Sequence, residues 1–93
     1  MIAIEYNNLM DNEWEKTIDG AFIKTVINSS LVINLKIHKD DFSQIVWLIS
    51  GIVTPINKYV SYTNPQENNL KAVCTFSQID EYINELINKY NNQ

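Results

Sequence analysis

The clearest order in the chain is the alternation over Leu31–His38. Leu31, Ile33, Leu35 and Ile37 fall on one side, and Val32, Asn34, Lys36 and His38 on the other. A period of two is that of a strand with one buried face. Ala21–Ile27 also reads as a strand, because Ile23, Thr25, Val26 and Ile27 are β-branched. Asn28-Ser29-Ser30 supplies the turn between the two. If Ile23 and Ile27 face the core, Phe22, Val26 and Val32 form an apolar patch on the opposite face, beside Lys24. Ile2, Ile4 and Tyr6 alternate with Ala3 and Glu5, which predicts a short first strand ended by Asn7-Asn8. Glu13–Ile18 fits both periods, since Trp14 and Ile18 are four apart yet also share a strand face. Asp19-Gly20 favours the strand, closed by a two-residue hairpin turn whose central positions need positive φ.

Two stretches carry helical spacing. Asp41 stands as a cap with Gln44 three residues on, and Phe42, Ile45, Val46, Ile49, Ile52 and Val53 follow. Trp47 and Leu48 widen that stripe beyond one face, and Pro55 ends it. Tyr59–Thr63 and Leu70–Phe76 read as strands around the polar turn Asn64–Asn69. Leu70, Ala72, Cys74 and Phe76 would share a face and bury the thiol. Ser77 then caps a final helix, with Asp80 at the capping-box position and Ile79, Tyr82, Ile83, Leu86, Ile87 and Tyr90 as its apolar stripe. The expected fold is a single α+β domain over residues 1–93. It holds an antiparallel sheet of about five to six strands with two helices packed on one face. Ala21–Val53 and Ile56–Tyr90 suggest a ββα-ββα arrangement.

Composition narrows the chemistry. The 93 residues include no arginine, one histidine, one cysteine and two glycines. Two isolated glycines make no phosphate loop. A lone cysteine makes no internal disulfide. His38 beside Asp40 and Asp41 is the one combination with metal-ligand chemistry, and it reads as a polar strand end followed by a cap. The acid pairs Glu13/Glu15 and Asp40/Asp41 would act as acid and base only in a cleft that splits their pKa values. The chain is expected to be no enzyme, with no metal and no cofactor. Its start lacks a basic and then apolar leader pattern, and its longest apolar run is too short to span a membrane, so a cytoplasmic location is expected.

Charge is unevenly placed. Within Met1–Gly20, Glu5, Asp11, Glu13, Glu15 and Asp19 stand against Lys16 alone, while acids and lysines balance over the rest of the chain. Such a field attracts a basic partner and repels nucleic acid and anionic membranes. Aromatic residues are frequent anchors at interfaces. The expected partner-binding surface is therefore Asp11, Glu13, Trp14, Glu15 and Asp19. In size and charge the chain resembles bacterial immunity proteins that protect a cell from a toxic nuclease, and small phage proteins that block host defence enzymes. That likeness rests on no motif. It implies an inhibitor that occludes the working site of a basic protein, a toxin or defence nuclease, without direct contact to nucleic acid or membrane. The alternative is a self-associating scaffold subunit, such as a homodimer, joined through the Phe22/Val26/Val32 face and the apolar helix around Trp47. A small-molecule sensor is a third class, weakened by the lack of convergent polar groups.

Overall fold

The alternating segment forms the central strand of the structure, a computed structural model that describes residues 2–29, 31–56 and 70–91. This strand, β3 (Leu31–Lys39), buries Leu31, Ile33, Leu35 and Ile37 as the pattern predicts. On one side it pairs with β2 (Phe22–Ile27), which pairs in turn with the two-residue β1 (Glu15–Lys16). On the other side lies β4 (Trp47–Pro55), followed by β5 (Lys71–Val73). All neighbours are antiparallel and the order is β1-β2-β3-β4-β5. A short helix, α1 (Tyr6–Asp11), precedes the sheet, and α2 (Phe76–Asn91) follows it. The α+β class with an antiparallel sheet thus holds, whereas no ββα-ββα repeat is seen among the described residues. Tyr59–Thr63 and Asn64–Asn69 lie outside them. No described helix is long and apolar enough to cross a membrane.

The first expected helix, over Asp41–Val53, is instead a turn and the strand β4. Trp47, Ile49, Gly51 and Val53 point inward and are buried, while Leu48, Ser50, Ile52 and Thr54 point outward. The segment is apolar on both faces and rich in β-branched residues, so its spacing fits a helix and a doubly lined strand alike. Pairing with β3 over nine residues decides for the strand. Phe42, which a helix would bury, is 97% exposed. Asp40, not Asp41, organises the turn. Its Oδ1 accepts the Phe42 N–H at 3.2 Å, and its own N–H donates to the Val46 carbonyl at 2.9 Å.

The N-terminus also departs from expectation. Ala3 makes one bridge to Thr75, and no longer strand forms there. Asn7 and Asn8 lie inside α1 rather than breaking a strand. The helix ends in a Schellman motif: the Trp14 N–H reaches the Leu9 carbonyl at 3.1 Å and the Glu13 N–H reaches Met10 at 3.2 Å. Glu13 takes the left-handed conformation this requires, with φ of 68°. Leu9 and Trp14, the residues brought together by that motif, both join the core. The strand expected over Glu13–Ile18 shrinks to Glu15–Lys16. Its hairpin loop has three residues, Ile18-Asp19-Gly20, with only Gly20 at positive φ, 87°. A turn completed by a left-handed glycine is the usual three-residue hairpin solution.

The core lies between one sheet face and the helices. Ile79, Tyr82 and Leu86 of α2 are buried against that face, with Phe76, Ile83, Ile87 and Tyr90 packed around them. Tyr6 of α1 sits 5.4 Å, centroid to centroid, from both Phe22 and Trp47. Gly51 lets α2 approach closely, for a Cβ there would lie 2.8 Å from the Leu86 Cδ1 atom. The cap of α2 is Thr75 with Gln78, not Ser77 with Asp80. Thr75 Oγ1 accepts the Gln78 N–H at 3.3 Å, and Gln78 Oε1 accepts the Thr75 N–H at 3.2 Å.

Two face assignments invert. Pairing of Phe22 with Ile37 and Val26 with Ile33 turns Phe22 and Val26 to the core and Ile23 and Ile27 outward. Phe22, Val26 and Val32 therefore form no patch. β2 is apolar on both faces, so alternation could not choose between them, and a one-residue change of phase reverses every side chain. On β5, Val73 faces in, Ala72 and Leu70 are exposed, and Cys74 is half-buried rather than buried.

Candidate functional site

The acidic segment wraps one margin of the sheet. Asp11 ends α1, Glu13 occupies the left-handed position of the Schellman motif, and Glu15 opens β1 opposite Ile23. All three carboxylates are exposed. Glu13 and Glu15 line one hollow of about 270 Å³ with Ile23, Lys24 and Thr25. Asp19 belongs to a different place. It sits on the hairpin loop, accepts a hydrogen bond from Thr17 Oγ1, and lies 3.5 Å from the Lys36 ammonium. The Thr17 hydroxyl and then the Lys36 charge hold its carboxyl below its ordinary pKa. Asp19 lines a second hollow with Lys36, His38, Lys39 and Asp41, which is mixed in charge.

Trp14 does not share this surface. It is 3% exposed and belongs to the core beside Leu9. Its burial follows from the Schellman motif, which carries the chain inward directly after Glu13. Trp47, the other tryptophan, is also a core residue. Neither tryptophan therefore offers an anchor at the acidic margin, and the burial of Trp14 has a local cause that spacing alone does not reveal.

The described lysines mostly reach rings, a carbonyl or other acids rather than the carboxylates of Asp11, Glu13 and Glu15. Lys24 Nζ donates to the Asn12 carbonyl at 3.0 Å and lies over the Trp14 ring. Lys16 and Lys39 lie 5.8 Å above the rings of Tyr6 and Trp47, and Lys89 lies over Tyr90. Lys36 pairs with Asp19, and Lys71 with Glu85 at 3.2 Å. Each of these lysines is engaged within the molecule. Among the described residues, Asp11, Glu13 and Glu15 enter no ion pair. Asp11, Glu13 and Glu15 thus stand exposed at the α1–β1 margin, with Lys24 beside the last two.

The sheet face away from the helices is the other exposed feature. Ile23 and Ile27 are exposed there, and Val32, Leu48 and Ile52 are half-buried between Thr25, Asn34, Lys36, Ser50 and Thr54. No described element covers it. Thr25 and Asn34 hydrogen-bond across it at 3.1 Å. Among the described residues no three His, Cys, Asp or Glu side chains are grouped so as to hold a metal. Neither a family model nor a curated protein nor a solved structure matches the chain.

Proposed function

We propose that the protein is a non-catalytic inhibitor that binds a basic protein partner and occludes its working site, as a toxin immunity protein or a phage anti-defence protein would. The observation that supports this reading is the cluster of exposed acids without ion pairs at one margin. The described lysines are held by rings, a carbonyl or carboxylates, while Asp11, Glu13 and Glu15 stand exposed and unpaired at one margin. Exposed like charge steers a complementary partner into encounter and raises the association rate. Asp19 takes part in that field more weakly, because Lys36 offsets it locally.

The test compares the protein with a Glu13→Lys, Glu15→Lys, Asp19→Lys variant, each immobilised and exposed to lysate of the source cell. The expected result is a basic protein retained by the wild type and not by the variant, whose own activity falls at one-to-one stoichiometry. With that partner purified, the reversals should slow association and flatten its dependence on salt, since screening acts over about 8–10 Å at physiological strength. Equal retention, or equal rate and salt slope, would remove the reading. The reversals should leave the protein folded, as these carboxylates are exposed.

A second reading, self-association as a scaffold subunit, is favoured by the exposed Ile23 and Ile27 on the uncovered sheet face. Light scattering separates the two. A monomer at high concentration supports the inhibitor, and a concentration-dependent dimer lost on Ile23→Lys supports the scaffold.

A further inference from the structure

The acidic margin borders an incomplete sheet edge. β1 pairs only with Phe22 and Ile23, so the rest of β2 has β3 on one side and, among the described residues, no strand on the other. The cause is local. Continued backward in register, β1 would set Trp14 opposite Lys24 and Glu13 opposite Thr25. The left-handed turn at Glu13 diverts the chain before that happens.

Which backbone groups face the gap follows from strand geometry. Successive residues of an antiparallel strand direct their N–H and C=O to alternate sides. Ala21 exchanges hydrogen bonds with Thr17, on the β1 side. Asn28 bonds Leu31, on the β3 side. Counting by two from Ala21, the groups of Ile23, Thr25 and Ile27 all point toward β1. β1 satisfies those of Ile23 alone. Thr25 and Ile27 thus present a donor and an acceptor each at an open edge, beside the hollow that Glu13 and Glu15 line.

Resting on the basic-partner reading above, we infer that the partner is held by β-augmentation: an extended, lysine- or arginine-bearing segment of it pairs with Thr25 and Ile27. A cationic side chain of that segment meets Glu13 and Glu15. Main-chain hydrogen bonds to an open edge provide attachment without side-chain pockets, and flanking charge selects the sequence that binds. Charge also argues against a second copy as the occupant. An antiparallel β2–β2 pairing would bring Glu13 and Glu15 of one copy beside Ile27, Asn28 and Ser29 of the other, where no cation stands.

The test uses an end-blocked synthetic peptide of alternating Lys and Val, a matched peptide with Glu in place of Lys, and a Lys peptide N-methylated at alternate residues. Binding is followed by amide NMR and by hydrogen exchange at Ile27. The Lys peptide should slow Ile27 exchange. Thr25→Pro removes an outward N–H while sparing the ladder to β3, and should weaken binding about tenfold, whereas Thr25→Val should bind as the wild type does. The N-methylated peptide should show a similar loss without any change to the protein. The Glu peptide should bind more weakly, with the gap closing as salt rises. Undiminished binding by Thr25→Pro or by the N-methylated peptide would overturn the inference. So would a Lys peptide that shifts amides elsewhere, though it would leave the basic-partner reading standing. Equal binding of the Lys and Glu peptides at this edge would instead remove that reading, and the inference with it. No binding of any peptide would overturn the augmentation alone.

Discussion

Phe22 and Ile23 are consecutive and similarly apolar, yet Phe22 is 1% exposed and Ile23 40%. They stand for two faces of one sheet. Phe22 belongs to the layer with Ile33, Ile37, Trp47 and Ile49 that α1 and α2 cover. Ile23 belongs to the face that no described element covers, next to the acidic margin and the open edge of β2. Burial of a large side chain contributes about 1.5–3 kcal/mol relative to leaving it exposed. The covered face therefore carries most of the stability, and among the described residues nothing covers the other face. The difference does not lie in residue type. It lies in which phase of the strand the helices happen to cover.

Substitutions on the two sides should separate stability from binding. Trp14→Ala, within the core, should cost about 3–5 kcal/mol of unfolding free energy in urea titration, whereas Ile27→Ala should stay within about 0.5 kcal/mol. A large loss at Ile27 would mean that the outer face is covered and would erase the contrast. Gly51→Val comes next. Its side chain would press on Leu86 and Leu35 beneath α2, and a cost of about 1–3 kcal/mol is expected. Unchanged stability would show that α2 can draw back without loss.

Glu13→Gly should have the opposite sign. The residue sits at φ of 68°, where a side chain costs about 1 kcal/mol, so glycine should raise stability by roughly that amount. Because a margin carboxylate is lost at the same time, the variant should be more stable yet bind a basic partner more slowly. That pairing of effects would sharpen the division between scaffold and margin. The smallest effect concerns Asp19. Its folded-state pKa is depressed by Thr17 and Lys36, so the stability it contributes is present above the unfolded value and is lost as pH falls through the folded one. Asp19→Asn should therefore lower stability slightly above about pH 4, and the difference from the wild type should fade as pH falls below that. A difference from the wild type that stayed the same down to low pH would contradict the pairing.

Parts of this fold are legible without coordinates. β3 is, because one of its faces is consistently apolar and the other mostly polar. The apolar stripe of α2 is as well, although its cap lies two residues earlier, at Thr75. β4 is not, since both of its faces are apolar and a helix fits the same spacing. Exposure of Asp11, Glu13, Glu15 and Asp19 is legible from charge, because isolated carboxylates stay in water. The burial of Trp14 is not, for it depends on the left-handed turn at a glutamate, a position more often filled by glycine. A sharper reading of that region was available in Leu9 and Trp14, five residues apart, which is the hydrophobic spacing of a Schellman motif.

By itself the sequence determined the α+β class, the inward face of β3, the stripe of α2 and the excess of negative charge before Ala21. Each is a local property, set by period or by ionisation. Only the tertiary structure decided the phase of β2, the strand identity of β4, the edge at Thr25 and Ile27 that no described strand pairs, and the partners of the described lysines. Those outcomes depend on which segments pair and which face the helices cover. Contacts between residues far apart in the chain settle them, because the local preferences at those positions are nearly balanced.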